Sequence, residues 1–321
     1  MLKFNFNPAP GTNLRAIEAI TAAGNFWSSQ FTDDVTLNID FRFEPAPDFF
    51  GHTVSKSFVS PYNKIRAGFA SDRTSPDDAT AVSNLQRGST LDLLINYTKD
   101  NPKGIGSQTP YLDKDKGANN SVIEITNANA KALKLFAADN PNPDALITFN
   151  SLTSWDFERS DGISKNSYDF IGVAIHEIGH AMGFTSGMDI LDFNSPLTIE
   201  TDKIFYPDDR FKNVTTLDLF RFSRKSAALD SGVIDWTTDR RDKYFSIDGG
   251  ATKIASFSTG SAHGDGFEQS HWKELPTSLG TMDAVGQAAG ELFQFSRNDL
   301  RAFDVIGWDR SVAVPELASI S

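Results

Sequence analysis

Ile175-His176-Glu177-Ile178-Gly179-His180-Ala181-Met182-Gly183-Phe184 is the stretch on which the fold turns. His176 and His180 are four residues apart. On a helix that spacing puts both imidazoles on one face, one turn apart. Two neutral imidazoles so placed can bind one zinc ion, with Glu177 beside the metal to take a proton from water. The preceding run, Tyr168 to Ile175, is mostly apolar and free of proline, so it predicts a buried helix. Asn166 or Ser167 is its expected N-cap, and Gly183 suits its end. A carboxylate on such a helix is costly without a partner, which favours a metal over two core histidines.

Working outward, the 321 residues allow one large domain or two modest ones. Twenty-six Phe promise an aromatic-rich core. The net charge of −12 argues against nucleic acid as a partner, because phosphate binding needs Lys/Arg patches. The chain has no Cys, which excludes disulfides and zinc–cysteine sites. No apolar run reaches the ~20 residues of a membrane helix. Met1 to Phe6 lacks the apolar core of a signal peptide, so the protein is either cytoplasmic or the product of signal removal.

Periodicity predicts an amphipathic helix from Asn13 to about Ser28 and a half-buried strand over Val35–Phe43. Residues 44–60 read as loop. Residues 61–86 read as helical pieces broken at Gly68, with Ser75 capping the second. Strands are expected at Leu91–Tyr97 and Ala145–Asn150, and a helix from an Asn127 cap through Phe136. Leu217–Phe222 suits a short helix or a strand equally. Tyr244–Phe257 predicts a hairpin turning at Gly249-Gly250, and Ser296 caps a last helix closed by Gly307. Lys99–Asn120 is a Gly/Asp/Asn-rich loop. Asp113 and Asp115 in this loop and Glu124 just beyond it echo the first, third and twelfth positions of a Ca2+ loop, but Ala118 stands where the sharp turn wants Gly, and a solvated turn is the preferred reading.

A catalytic zinc needs three protein ligands and an open position. In the metzincin pattern a third His follows ten residues after the first; here that position is Ser186. Of the remaining histidines, His52 lies in an early loop and is set aside. His271 occurs in Ser270-His271-Trp272, with Met282 following in Gly280-Thr281-Met282-Asp283. His263 is its main rival, and Asp189 another, since carboxylates also bind zinc.

At these residues the chain resembles leishmanolysin, the metzincin branch whose third His is displaced by an insertion. The resemblance covers 168–184 and 269–283. It implies Zn2+ held by His176, His180 and His271, Glu177 as general base, and Met282 in a turn beneath the metal. The implied fold is α+β and metzincin-like. A mixed helix/strand subdomain, 1–183, would end in the zinc helix. An irregular subdomain, 184–310, would carry the third ligand and the Met-turn, with a tail over 311–321. The implied activity is hydrolysis of a peptide bond in a protein or peptide substrate, by a zinc-bound water and Glu177. His263 is one guess for oxyanion stabilisation. An edge strand such as Ala145–Asn150 is expected to pair with the substrate. The lack of Cys makes the chain look like a bacterial relative of that branch. The rival readings are a binding module on a protease scaffold and a zinc hydrolase of a non-peptide bond. Val314-Pro315-Glu316-Leu317 is similar to the start of a sorting tail of exported proteins, which makes a secreted or extracellular location the expectation.

Overall fold

The alternation of Val35–Phe43 folds as an inner strand, and a four-stranded sheet grows on both sides of it. The computed structural model describes residues 1–195, 204–229 and 232–311. In chain order its elements begin with β1 (Lys3–Pro8), α1 (Leu14–Gln30), β2 (Thr36–Glu44), β3 (Gly51–Ser55) and β4 (Ser57–Pro61). Next come α2 (Tyr62–Asp72), α3 (Pro76–Asn84), β5 (Leu93–Ile95), β6 (Tyr111–Asp113), α4 (Ala118–Ser121), β7 (Val122–Thr126) and α5 (Asn127–Ala132). They are followed by β8 (Ala145–Asn150), β9 (Trp155–Asp156), β10 (Tyr168–Asp169), α6 (Phe170–Met182) and α7 (Met188–Asn194). Last are β11 (Arg221–Phe222), α8 (Arg224–Ala227), β12 (Ile234–Asp235), β13 (Lys243–Phe245), β14 (Ala255–Phe257) and α9 (Arg297–Val305). The fold class is α+β.

The chain divides into two units. The first comprises 1–57, 126–183 and 280–321; the second comprises 58–125 and 184–279. Residues 184–310, grouped together on sequence, are thus divided at Gly280, and Met282 falls in the same unit as α6.

The first unit carries the sheet β1-β2-β8-β3, parallel except for the antiparallel β8–β3 pair. Residues 44–60 are therefore not loop: β3 and β4 lie there. The expectation that Ala145–Asn150 is an edge strand is corrected as well. β8 is paired on both sides, with β2 and with β3, and five of its six residues are buried. A strand covered on both faces reads as a near-continuous apolar run, which is what Ala145-Leu146-Ile147 begins. The edge beside it is β3.

Against the sheet lie α1 and α6. Trp27 of α1 is fully buried and its indole Nε1 donates to the Ile175 carbonyl at 3.0 Å. Its ring meets Phe31, Phe295 and Phe303 at centroid distances of 4.7–5.9 Å. Trp308 Nε1 donates to the Met182 carbonyl at 3.0 Å. Burying each such side chain contributes about 1.5–3 kcal/mol, and the two indole bonds fix α6 along its length. Lys131 is buried in α5 with its ammonium on Asp144 Oδ2 (2.7 Å) and the carbonyls of Thr36 (2.8 Å) and Asn140 (3.3 Å).

The second unit holds the sheets β12-β5-β6 and β11-β13-β14 and the pair β4-β7. Three expectations shift in detail. Gly68 lies inside α2, and the break falls at Arg73–Ser75, where Ser75 caps α3 with Asp78. Leu217–Phe222 contains both a turn of 3-10 helix (Asp218–Phe220) and β11. The hairpin β13–β14 pairs Phe245 with Ala255, so its connection is longer than the two glycines. Val314–Leu317 lies outside the described residues.

Candidate metal centre

Helix α6 is capped by Asp169, not by Asn166 or Ser167. The Asp169 carboxylate accepts from Gly172 N at 3.0 Å and pairs with the buried Arg159 guanidinium (Nε–Oδ1 2.9 Å), so a tertiary ion pair decides the cap. The helix ends where Gly183 takes a left-handed conformation, φ +117°.

On this helix His180 Nε2 stands 3.0 Å from His176 Nε2. Two nitrogens bound tetrahedrally to one zinc at 2.0–2.1 Å stand about 3.3 Å apart, so the pair is spaced to share an ion. His176 Nδ1 lies 2.6 Å from the Thr281 carbonyl oxygen. A carbonyl only accepts, so Nδ1 carries the proton and Nε2 keeps its lone pair. Burial holds His176 down to about 4, against a partial upward pull from that hydrogen bond, and the ring is neutral at physiological pH.

The Thr281 carbonyl is itself placed. Asp299, at N3 of α9, accepts from Thr281 N (2.9 Å), Met282 N (3.4 Å) and Ser296 N (2.7 Å). Gly280 sits so close that a Cβ there would lie 2.1 Å from Asp299 Oδ2. Met282 is fully buried. A Cβ on Gly179 would lie 2.5 Å from its sulfur, so Met282 packs on the helix turn between the two histidines.

Glu177 is 4% exposed. Strand β3 runs beside it: Thr53 Oγ1 lies 2.6 Å from Glu177 Oε2 and 3.0 Å from its carbonyl oxygen, and its single proton serves one at a time. Gly51 faces the same carboxylate; a Cβ there would stand 2.5 Å from Oε1. The carboxylate is thus held from one side by a hydroxyl and given room by a missing side chain.

His271 belongs to the second unit, where Nδ1 is 3.3 Å from the Glu268 carbonyl. Its neighbours are clamped by the segment that follows Gly183. Ser186 N donates to Ser270 Oγ at 2.9 Å. The Asp189 carboxylate accepts from Gln269 N (2.5 Å), Ser270 N (3.1 Å) and Ser270 Oγ (2.5 Å). Phe184 packs edge-on against the buried Trp272, centroids 4.9 Å apart. Burial pushes Asp189 up to about 7, while its bonds to Ser270 and Gln269 pull it back. Both its oxygens are spent on this clamp, so Asp189 acts as an anchor rather than a ligand.

Below the clamp, Asp218 accepts from Ser186 Oγ (2.7 Å), Gly187 N (3.0 Å) and Trp236 Nε1 (3.0 Å). Arg221 joins Asp218 (3.4 Å) to the Gln269 carbonyl (2.6 Å) and stacks on Phe257 at 3.8 Å. Ser186, which occupies the place of the missing histidine, thus helps to hold the residue before His271.

The other histidines have structural surroundings. His263 Nε2 donates to the Ser195 carbonyl at 2.9 Å and its ring lies 4.4 Å from Tyr97. His52 is on β3 with its ring near Phe49.

Several of these residues escape sequence reading. Ser296-x-x-Asp299 carries a capping-box signal that could have found Asp299. For Thr53, Gly51 and the anchoring role of Asp189 there is no local signal. Compared with protein-family models, curated proteins and solved structures, the chain matches none.

Proposed function

We propose that the chain is a zinc-dependent endopeptidase of metzincin-like plan, in which His271 joins His176 and His180 as the third ligand. The observation that carries this reading is the pairing of two imidazole Nε2 atoms 3.0 Å apart, that of His176 left with its lone pair by the Thr281 carbonyl, with a buried, hydroxyl-oriented carboxylate on the same helix turn. The donor set is nitrogen only, which suits zinc rather than the oxygen-seeking cations. For His271, the support is that the chain leaving α6 at Phe184 goes straight into the clamp on Ser270 and Trp272.

Zinc, when bound, supplies a Lewis acid that lowers the pKa of water towards ~7 and polarises a carbonyl. The residues supply the rest. Glu177 takes the proton from the attacking water and returns it to the leaving amine. Thr53 and Gly51 fix where that carboxylate points. Thr281 and Asp299 hold the His176 tautomer. An extended substrate would align along β3, the sheet edge beside Glu177, rather than along β8. Export from the cell belongs to the same proposal and rests on resemblance alone.

Casein digestion with and without chelator is the test. The expected result is cleavage that chelator abolishes and zinc restores, with Glu177→Ala inactive at full zinc content. A wild-type protein that binds one zinc and cleaves neither casein nor gelatin would leave the binding-module or non-peptide hydrolase readings standing in its place.

A further inference from the structure

A second group of candidate ligands lies wholly in the second unit. Asp113 at the end of β6, Asp115 in the turn after it and Asp208 each offer one carboxylate oxygen, and the three oxygens lie within 4.8 Å of one another. Asp113 and Asp208 are buried, and Asp115 is exposed. Among the described residues none of the three has an ion-pair partner. Their carboxylate oxygens accept from neutral donors: Tyr111 Oη (2.7 Å) and Asp209 N (2.8 Å) to Asp208, Asp115 N (3.4 Å) to Asp113, and Gly117 N (2.7 Å) to Asp115, while Asp208 N donates to Asp100 Oδ2 at 3.0 Å.

Three acids alone would make only a cluster. The independent observation is Asn119. It is 1% exposed, its Nδ2 sits 2.7 Å from Asp113 Oδ2, and its Oδ1 is buried with no hydrogen-bond partner. A buried carbonyl with no donor, on a side chain whose amide already meets Asp113, is a vacant acceptor beside three carboxylates that also lack a cation. Every available donor is oxygen, and the ligands come from separate turns, which suits the adaptable coordination of a calcium-sized ion better than strict octahedral magnesium.

We propose that Asp113, Asp115 and Asp208, completed by the side-chain carbonyl of Asn119, bind one divalent cation of the calcium class. The site differs from the loop echoed in sequence. Glu124 Oε2 accepts from Asn213 Nδ2 at 2.6 Å and does not join the group; Asp208, distant along the chain, takes its place. Bound cation would therefore tie the turn after β6 to the segment around Asp208. The inference is independent of the zinc reading and is read by binding rather than by peptidase activity.

The test uses the full chain, stripped of metal and titrated with calcium and, separately, magnesium by calorimetry. The expected result is one calcium per chain with a dissociation constant at or below about 1 mM, a raised melting temperature, and weaker magnesium binding. Asp208→Asn and Asp115→Asn should each weaken calcium at least tenfold. Asp115 is exposed, so that variant remains informative if Asp208→Asn fails to fold. Absence of binding at millimolar calcium, or unchanged affinity in Asp115→Asn, overturns the proposal.

Discussion

Gly51→Ala puts the role of β3 to a direct test. Gly51 has no positive φ, so alanine meets no backbone penalty there. The added Cβ would stand 2.5 Å from Glu177 Oε1, 2.7 Å from Cγ and 2.8 Å from Cδ, where ordinary contact begins at 3.4 Å. The flexible end of Glu177 must retreat by about 1 Å. A misplacement of that size costs about 10²-fold in rate, and a general base is worth about 10²–10⁴-fold. The expected outcome is a fall in kcat of about a hundredfold, or about 2.7 kcal/mol of barrier, with KM and zinc content near wild type. Initial rates on a fluorogenic casein, zinc stoichiometry and a melting curve make the comparison. Thr53→Val, which removes the 2.6 Å hydrogen bond without adding bulk on that side, should fall in the same direction. A folded, zinc-loaded Gly51→Ala enzyme with kcat within about threefold of wild type would refute the reasoning, because the contact leaves the carboxylate no room to stay.

Three further outcomes are expected. Lys131→Met leaves Asp144 buried without its ammonium and should cost about 3–5 kcal/mol in urea unfolding; a loss below about 1 kcal/mol would contradict the buried pair at 2.7 Å. In metal-free protein His176 is held from its usual 6.5 down to about 4, so the unfolded chain takes up the proton first as pH falls. Its stabilising contribution is full above pH 6.5 and is lost between 6.5 and 4, about 3 kcal/mol in all; urea midpoints against pH should fall more steeply than in His176→Gln. Asp189→Ala should loosen Gln269 and Ser270 and weaken zinc about 10–100-fold in a competition titration, whereas unchanged affinity would separate the clamp from the metal.

What could be read from sequence is what depends on neighbours along the chain. The spacing of His176 and His180, the Gly183 stop, the Ser296 cap and the span of β8 all follow from local patterns. What escaped depends on partners far away. Asp169 wins the cap over Asn166 and Ser167 because Arg159 and Phe293 N meet its carboxylate. β8 is an inner strand because β3, across a long excursion of chain, returns to its side. Ser186 reads as a lost ligand until its amide is seen on Ser270.

The return of the chain to its first unit at Gly280 has a consequence for how the protein is made. During synthesis α6 emerges with both its histidines, but the carbonyl that sets the His176 tautomer lies 105 residues further along the chain and has yet to be made, and Asp299, which places that carbonyl, comes later still. A nascent chain ending before Thr281 has the motif without its orientation. The order of translation therefore withholds the oriented His176 ring until the last helix has been delivered, and any activity that depends on that orientation is withheld with it while the chain is still attached to the machinery that builds it.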